Sequence, residues 1–308
     1  MRCLITGATG FVGRHLATAL RAAGHEVVGL ARHPAEVGFP VHAVDLLDGP
    51  ETLAVVRDVR PDWLFHLAGY ANAGRSFREP SAAWVGNLDA TFGLYDTIAR
   101  SPVRPRILYV SSGLVYGDAG KGEHVFTEDA PLRPASPYAA SKAAADLLSF
   151  QQTRSPGLDI VRVRPFNQIG PGQSADYAAA NFARQVVAVE RGRLPELEVR
   201  GDLQARRDLT DVRDMVRAYV RLLEVGKTGE AYNAGSGQTY QIQAILDRLV
   251  ALAGVPIRVV ENPDQSRTMD TTVSRADTRK LREATGWEPT IPLDRTLVDM
   301  LDDWRGRR

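Results

Sequence analysis

Arg2-Cys3-Leu4-Ile5-Thr6-Gly7-Ala8-Thr9-Gly10-Phe11-Val12-Gly13 decides the fold of this chain. A short apolar strand runs into glycines at positions 7, 10 and 13. A helical pattern through His15, Leu16, Ala19 and Leu20 follows and ends at Gly24. Strand, glycine turn and helix in this order build a phosphate-binding turn. The glycines let the backbone approach a pyrophosphate, and the helix N-terminus adds free N–H groups and the positive end of its dipole. The spacing is Gly-x-x-Gly-x-x-Gly rather than Gly-x-Gly-x-x-Gly, and a plain tight turn uses the same residues. The reading therefore leans on the strands at either side.

Working outward, residues 26–30 form a second strand that runs into Ala31-Arg32-His33. A carboxylate at this place holds the ribose 2′-hydroxyl of NAD, and here there is none. Arg32 suits a 2′-phosphate, which favours NADP(H) over NAD(H). Asp45 and Leu46 follow a third strand and border the adenine, or form an ordinary loop. Residues 62–67 are a strand, and Leu67, Ala68 and Gly69 leave room for a cofactor backbone to pass. Residues 81–100 are a long helix that carries Asn87, and residues 106–111 are the next strand. Strands alternating with helices predict an α/β fold with a Rossmann-type doubly wound parallel sheet. Its ligands sit beyond the carboxyl ends of the strands.

The strand ending at Ser111-Ser112 is followed by Gly113-Leu114-Val115-Tyr116-Gly117, a polar loop, and Ser136-Pro137-Tyr138-Ala139-Ala140-Ser141-Lys142. Ser136 is a good N-cap and Pro137 a good first helical residue. Tyr138 and Lys142, four apart, share one helix face. A free phenol, with a pKa of about 10, is a poor acid–base catalyst at neutral pH. A neighbouring ammonium lowers that pKa. A serine hydroxyl nearby can hold a substrate oxygen while the proton moves. The chemistry is hydride transfer at a secondary alcohol or ketone, with Tyr138 as proton carrier. Taken alone, a Tyr and a solvated Lys at this spacing are commonplace on helices.

Beyond residue 163 the chain turns irregular and rich in Gly and Pro, through Arg164-Pro165-Phe166-Asn167-Gln168-Ile169-Gly170-Pro171-Gly172. Helices are expected over residues 178–192, 215–224, 242–253, 276–285 and 293–304, with short strands near 196–200, 230–233 and 258–260. Residues 1–165, rejoined by 205–235, make a dinucleotide-binding domain. Residues 166–204 and 236–308 make a smaller α/β C-terminal substrate domain.

Composition narrows the function classes. The 308 residues carry 38 basic and 37 acidic side chains, a net charge of +1, which gives no footing for a nucleic-acid partner. No apolar run approaches the roughly 18 residues of a membrane span. Cys3 is the only cysteine, so there is neither an intrachain disulfide nor a cysteine-based metal site, and no metal is expected. One cysteine and no charged leader before an apolar run fit a cytoplasmic protein without a signal peptide.

The chain resembles the extended short-chain dehydrogenases/reductases over nearly its whole length. The resemblance rests on Gly7, Gly10 and Gly13, Ser111-Ser112 before Val115-Tyr116-Gly117, Tyr138 with Lys142, Arg164-Pro165-Phe166-Asn167, Arg207-Asp208 with Val212 and Asp214, and Asp277-Thr278 before Gly286-Trp287. It implies that Ser112, Tyr138 and Lys142 form the catalytic set, with Lys142 also on the cofactor ribose. On the cofactor side it places Gly7, Gly10, Phe11, Val12, Gly13, Asn87, Ser111 and Pro165. The implied substrate is a nucleoside-diphosphate sugar lying between two domains, met by Ser76, Ser112 and Asn167. Arg207 and Arg267 are candidates for its diphosphate, because a guanidinium grips two phosphate oxygens at once. Surface salt bridges, with Asp208 or Asp270, are the plain alternative for each arginine.

Dehydratases of that superfamily carry an acid, often two, directly after the catalytic hydroxyl. Gly113-Leu114 stands there, against a 4,6-dehydratase and against the related decarboxylases. The string from Arg164 to Gln173 is similar to that of GDP-4-keto-6-deoxy-mannose reductases, which implies reduction of a C4 ketone to give GDP-rhamnose. Two alternatives stay open. One is a UDP-sugar 4-epimerase with tightly bound NAD. The other is a non-catalytic NAD(P)-binding sensor or scaffold. Helices 81–100 and 137–155 have apolar faces; the matching helices of relatives pair across a homodimer, though both faces can equally pack on their own sheet.

Overall fold

The structure, a computed structural model, describes residues 1–117, 122–262 and 272–307. From the N-terminus come β1 (Arg2–Thr6), α1 (Phe11–Ala22), β2 (Glu26–Ala31), β3 (Val41–Ala43), α2 (Gly49–Val59) and β4 (Trp63–His66). Next are α3 (Pro80–Trp84), a π-helical turn over Val85–Asp89, α4 (Ala90–Arg100), β5 (Arg106–Val110), β6 (Gly122–Phe126) and α5 (Pro137–Arg154). β7 (Ile160–Pro165), β8 (Asn167–Ile169), α6 (Ala178–Glu190), β9 (Leu197–Val199), β10 (Arg206–Asp211) and α7 (Val212–Val225) follow. Last are β11 (Ala231–Ala234), β12 (Thr239–Gln241), α8 (Ile242–Ala251), β13 (Val259–Glu261), β14 (Thr272–Ala276), α9 (Arg279–Thr285) and α10 (Leu293–Gly306).

Seven strands form one sheet in the order β11-β7-β5-β4-β1-β2-β3, and every neighbouring pair is parallel. This is the Rossmann-type doubly wound sheet, with its order reversing between β1 and β4. Successive side chains of a strand point to opposite faces. Cys3 and Ile5 join Leu16, Leu20, Met215 and Tyr219 from α1 and α7 on one face. Leu4 joins Val56, Leu94 and Ile98 from α2 and α4 on the other. Each large apolar side chain buried this way contributes roughly 1.5–3 kcal/mol. A separate cluster unites α6, α8 and α10 through Phe182, Val186, Leu246, Leu249, Leu297 and Met300.

Several elements differ from expectation. Residues 206–211 read as a lead-in to a helix, yet they form β10, parallel to β8 and antiparallel to β12. β14 pairs with β6 across some 150 positions of sequence. The helix expected from residue 276 starts at Arg279 instead. Ala276 ends β14, and the Asp277 carboxylate accepts the Arg279 N–H at 3.0 Å. The helix expected over residues 81–100 is broken by the π turn, which carries Asn87.

Two motif acids prove to be clasps. Asp214 accepts the N–H groups of Thr290 and Ile291, each at 2.8 Å, while its carbonyl accepts the Trp287 indole N–H at 2.9 Å. Asp208 accepts from the N–H groups of Ser236, Gly237 and Ala276 at 3.0–3.1 Å. No described helix is long and apolar enough to cross a membrane.

Candidate active site

The carboxyl ends of β1, β2 and β4 meet at the glycine turn. Gly7 has φ +70° and donates its N–H to the Leu30 carbonyl at 2.9 Å, which ties the turn to the end of β2. A Cβ on Gly13 would lie 2.4 Å from the Gly7 carbonyl oxygen, and one on Gly7 would lie 2.9 Å from the Ala68 nitrogen. The glycines are therefore required by close backbone approach. Phe11 and Val12 open α1. The Phe11 ring meets His15 edge-on at 5.5 Å, and His15 Nε2 donates to the Pro171 carbonyl at 2.8 Å. Arg32 is exposed just past β2. Asp45 is exposed and caps the Leu47 N–H at 3.0 Å, whereas Leu46 is buried.

β5 delivers Ser111 and Ser112, both buried. α5 begins where the chemistry of its first turn dictates. Ser136 accepts the Ala139 N–H at 3.1 Å, and Pro137 takes the first helical position. A second hydroxyl caps the same turn from afar, since Ser76 Oγ accepts the Tyr138 N–H at 3.2 Å and donates to the Ala73 carbonyl at 2.6 Å. Ser76 is thus fully buried and spends its hydroxyl on positioning Tyr138.

Ser112 Oγ, beside Tyr138, accepts the Leu114 N–H at 3.1 Å. Desolvation pushes the Tyr138 phenol up to about 12, against the lowering effect of Ser112. The lowering expected from Lys142 is not what this site shows. The Lys142 ammonium donates to the Val110 carbonyl at 2.7 Å and lies 5.2 Å from the centre of the Tyr109 ring. Burial pulls Lys142 down to about 8, with Asp146 opposing.

Asn87 is buried, and its Nδ2 donates to Ser141 Oγ at 2.9 Å, which in turn donates to the Tyr138 carbonyl at 2.8 Å. Farther along α5, Asp146 accepts from Arg162 at 2.5 Å and from both Nε and Nη2 of Arg164 at 3.0 Å. Arg164 also donates to the Tyr116 hydroxyl at 3.0 Å, and Tyr116 donates to Asn233 at 2.6 Å.

On the other side of the cleft, the Phe166 ring covers Gly113 so closely that a Cβ there would lie 2.8 Å from it. Pro165 ends β7 and is buried; Asn167 opens β8, and its Nδ2 donates to the Asp208 carbonyl at 3.3 Å. Parallel pairing of β8 with β10 thereby sets Asn167 beside the Arg207 segment. Arg207 does not pair with Asp208, whose carboxylate is taken by backbone N–H groups. Among the described residues its partner is the Arg206 carbonyl, at 2.8 Å. Arg267 lies outside the described residues.

The NAD dependent epimerase/dehydratase family matches residues 3–235. This chain belongs to that family. It is 36% identical to the GDP-6-deoxy-D-mannose reductase of Pseudomonas aeruginosa over 307 residues, covering 99% of this chain and 98% of the relative. It is 30% identical to the UDP-glucose 4-epimerase of Mycolicibacterium smegmatis, covering 100% and 99%. The structure of RMD from Pseudomonas aeruginosa complexed with NADPH superposes with a TM-score of 0.86, at 33% identity and complete coverage of both chains.

The family's dinucleotide fits the residues present. Asn87 Oδ1 is buried without a partner among the described residues, and a Cβ on Gly69 would lie 2.4 Å from it. The glycine turn leaves backbone N–H groups at the start of α1 for phosphate. Ala68 and Gly69 form the opposite wall. Sequence reasoning passed over several residues of this family member's site. Tyr177 reaches from the start of α6 to the Ala71 carbonyl at 2.9 Å and adds to the upward push on Tyr138. His66, Thr91 and Ser141 form internal hydrogen bonds of the site. No spacing rule marks them, since their partners come from other elements.

Proposed function

We propose that this chain uses NADPH to reduce the C4 ketone of a nucleotide-activated 4-keto-6-deoxy sugar, namely GDP-4-keto-6-deoxy-mannose, to GDP-rhamnose. The observation that carries this reading is the first turn of α5, where Ser76 and Ser136 cap the N–H groups of Tyr138 and Ala139 and so fix Tyr138 one turn before the buried Lys142. Resemblance to the Pseudomonas aeruginosa reductase supports the substrate, and the NADPH-bound structure supports the cofactor. Arg32, with no acid beside it at the end of β2, agrees with a 2′-phosphate.

When bound, NADPH supplies the hydride. Ser112 holds the ketone oxygen, and Tyr138 delivers its proton as negative charge grows there. A protonated phenol is the right starting state for reduction, because the product alcohol needs that proton. The Lys142 ammonium, one helical turn on, holds the hydroxyls of the cofactor ribose. The position after Ser112 has room for hydrogen only, beneath Phe166, and Leu114 is apolar, so this site has no acid there for eliminating water. Asn167 faces the sugar. Arg207 and Arg267 take the diphosphate, and Asn87 and Ser111 lie on the cofactor side.

The reading includes a homodimer in the cytoplasm. Trp84 and Phe92 on one helical run and Leu147 and Phe150 on α5 are exposed apolar side chains, and these helices pack side by side. A second copy of the chain covers them.

The test is NADPH oxidation with freshly generated GDP-4-keto-6-deoxy-mannose, with NADH in parallel and light scattering for mass. NADPH consumption supports the reductase. No consumption, with NAD released only on denaturing the protein, overturns it in favour of a UDP-sugar 4-epimerase.

A further inference from the structure

His66 ends β4 and has no exposed surface. Its Nδ1 lies 2.8 Å from Thr6 Oγ1 and its Nε2 lies 2.9 Å from Thr91 Oγ1. The direction of each bond follows from the far ends. Thr91 gives its own hydroxyl hydrogen to the Asn87 carbonyl at 2.5 Å, and a carbonyl can only accept. His66 Nε2 must then donate to Thr91. Burial holds the imidazole neutral, with its pKa lowered to about 3, so Nδ1 accepts the Thr6 hydroxyl hydrogen. Thr6 Oγ1 in turn accepts the Ala68 N–H at 3.1 Å. A single tautomer satisfies every group in the line.

The line joins separate parts of the site. Ala68 is one wall of the cofactor cleft. Asn87 sits in the π turn on another, with its carbonyl held by Thr91 and its Nδ2 bonded through Ser141 to the Tyr138 carbonyl. π turns inside helices are frequent at functional sites because they redirect side chains that a regular helix would point elsewhere. Few side chains can replace the imidazole here. It donates at one end and accepts at the other, in opposite directions from a rigid ring. Glutamine carries both groups on one terminal amide, and leucine would leave the Thr6 hydroxyl hydrogen without its acceptor and Thr91 Oγ1 without its donor.

We propose that His66 is a positioning residue: it locks the Ala68 backbone to the Asn87 turn, so that the two walls of the cofactor cleft and the start of the catalytic helix are held as one unit. This rests on the reading of the cleft as an NADP(H) site. A merely structural histidine would matter only for stability.

The experiment compares His66→Leu, Thr91→Val and Thr91→Ser with Leu64→Ala, a core variant on the same strand outside the line. NADPH affinity is measured by fluorescence titration, stability by thermal melting, and turnover by the kcat and KM for NADPH. His66→Leu and Thr91→Val are expected to weaken NADPH binding about tenfold, through buried groups left unsatisfied. They should also lower kcat. Thr91→Ser, which keeps the hydroxyl, should restore wild-type values. Leu64→Ala should lose stability with NADPH affinity unchanged. If His66→Leu fails to fold, the two Thr91 variants carry the comparison, being near-isosteric. Folded Thr91→Val protein that binds and turns over NADPH like wild type overturns the proposal. Wild-type protein that binds no NADPH overturns the reading of the cleft itself, which separates the two failures.

Discussion

Lys142 donates from Nζ to the carbonyl of Val110, the last residue of β5, at 2.7 Å. Lys142 is only 7% exposed, and burial lowers its ammonium to about 8 from an ordinary 10.5. Catalysis that needs the charge should therefore fall as pH rises through about 8, seen as an alkaline limb in kcat/KM. The stability sign is opposite. Between about 8 and 10.5 the unfolded chain binds the proton and the folded one has lost it, so this residue's contribution to stability improves as pH rises across that window. Urea midpoints of wild type against Lys142→Met over the same range check this. A wild-type midpoint that does not gain on the variant would contradict the assignment.

Tyr138→Phe removes the proton carrier while leaving the ring in place. Turnover should drop by about a hundredfold or more, with NADPH affinity within about twofold of wild type. Steady-state rates and fluorescence titration measure the two separately. Full activity in this variant would remove Tyr138 from the mechanism.

Asp146 lies between Arg162 and Arg164 with no exposed surface. Burial pushes its carboxyl up, but the Arg164 hydrogen bond and the charges of both arginines outweigh that and hold it below the ordinary value. Its contribution to stability is present above about pH 4 and lost as pH falls through the lower folded value. Asp146→Ala leaves two arginines buried without a counter-charge and should cost about 3–5 kcal/mol in a denaturant titration. A loss below about 1 kcal/mol would show that water reaches the pair.

Gly13→Ala places a Cβ 2.4 Å from the Gly7 carbonyl oxygen and 2.8 Å from Ala8. The turn must open to admit it, at a cost of about 1–3 kcal/mol. The melting temperature and NADPH affinity should fall together.

Arg32 is exposed and makes its contribution, on the present reading, only to a 2′-phosphate. Arg32→Ala should reduce the preference for NADPH over NADH by about tenfold with an unchanged melting temperature. An unchanged ratio of kcat/KM for the two cofactors would place the discrimination elsewhere.

The alternation of apolar strands with glycine-ended helices was enough, by itself, to specify the parallel sheet and to put the Gly7–Gly13 turn, Ser112 and Tyr138 at its carboxyl edge. Those features are local: a strand needs a handful of apolar residues, and a Ser136-Pro137 cap followed by Tyr138 and Lys142 needs one helical turn. The tertiary structure alone decided the rest. It determined that Lys142 bonds to Val110 rather than lowering Tyr138, that Ser76 caps a helix 62 positions away, and that Asp208 is held by backbone N–H groups instead of Arg207. It also paired β6 with β14 and put the unmarked His66 between Thr6 and Thr91. Backbone propensity and periodicity act over a few residues, so they can be read along a chain. Desolvation and hydrogen-bond partnership depend on which distant atoms fill the surrounding space, and only the folded chain assembles them.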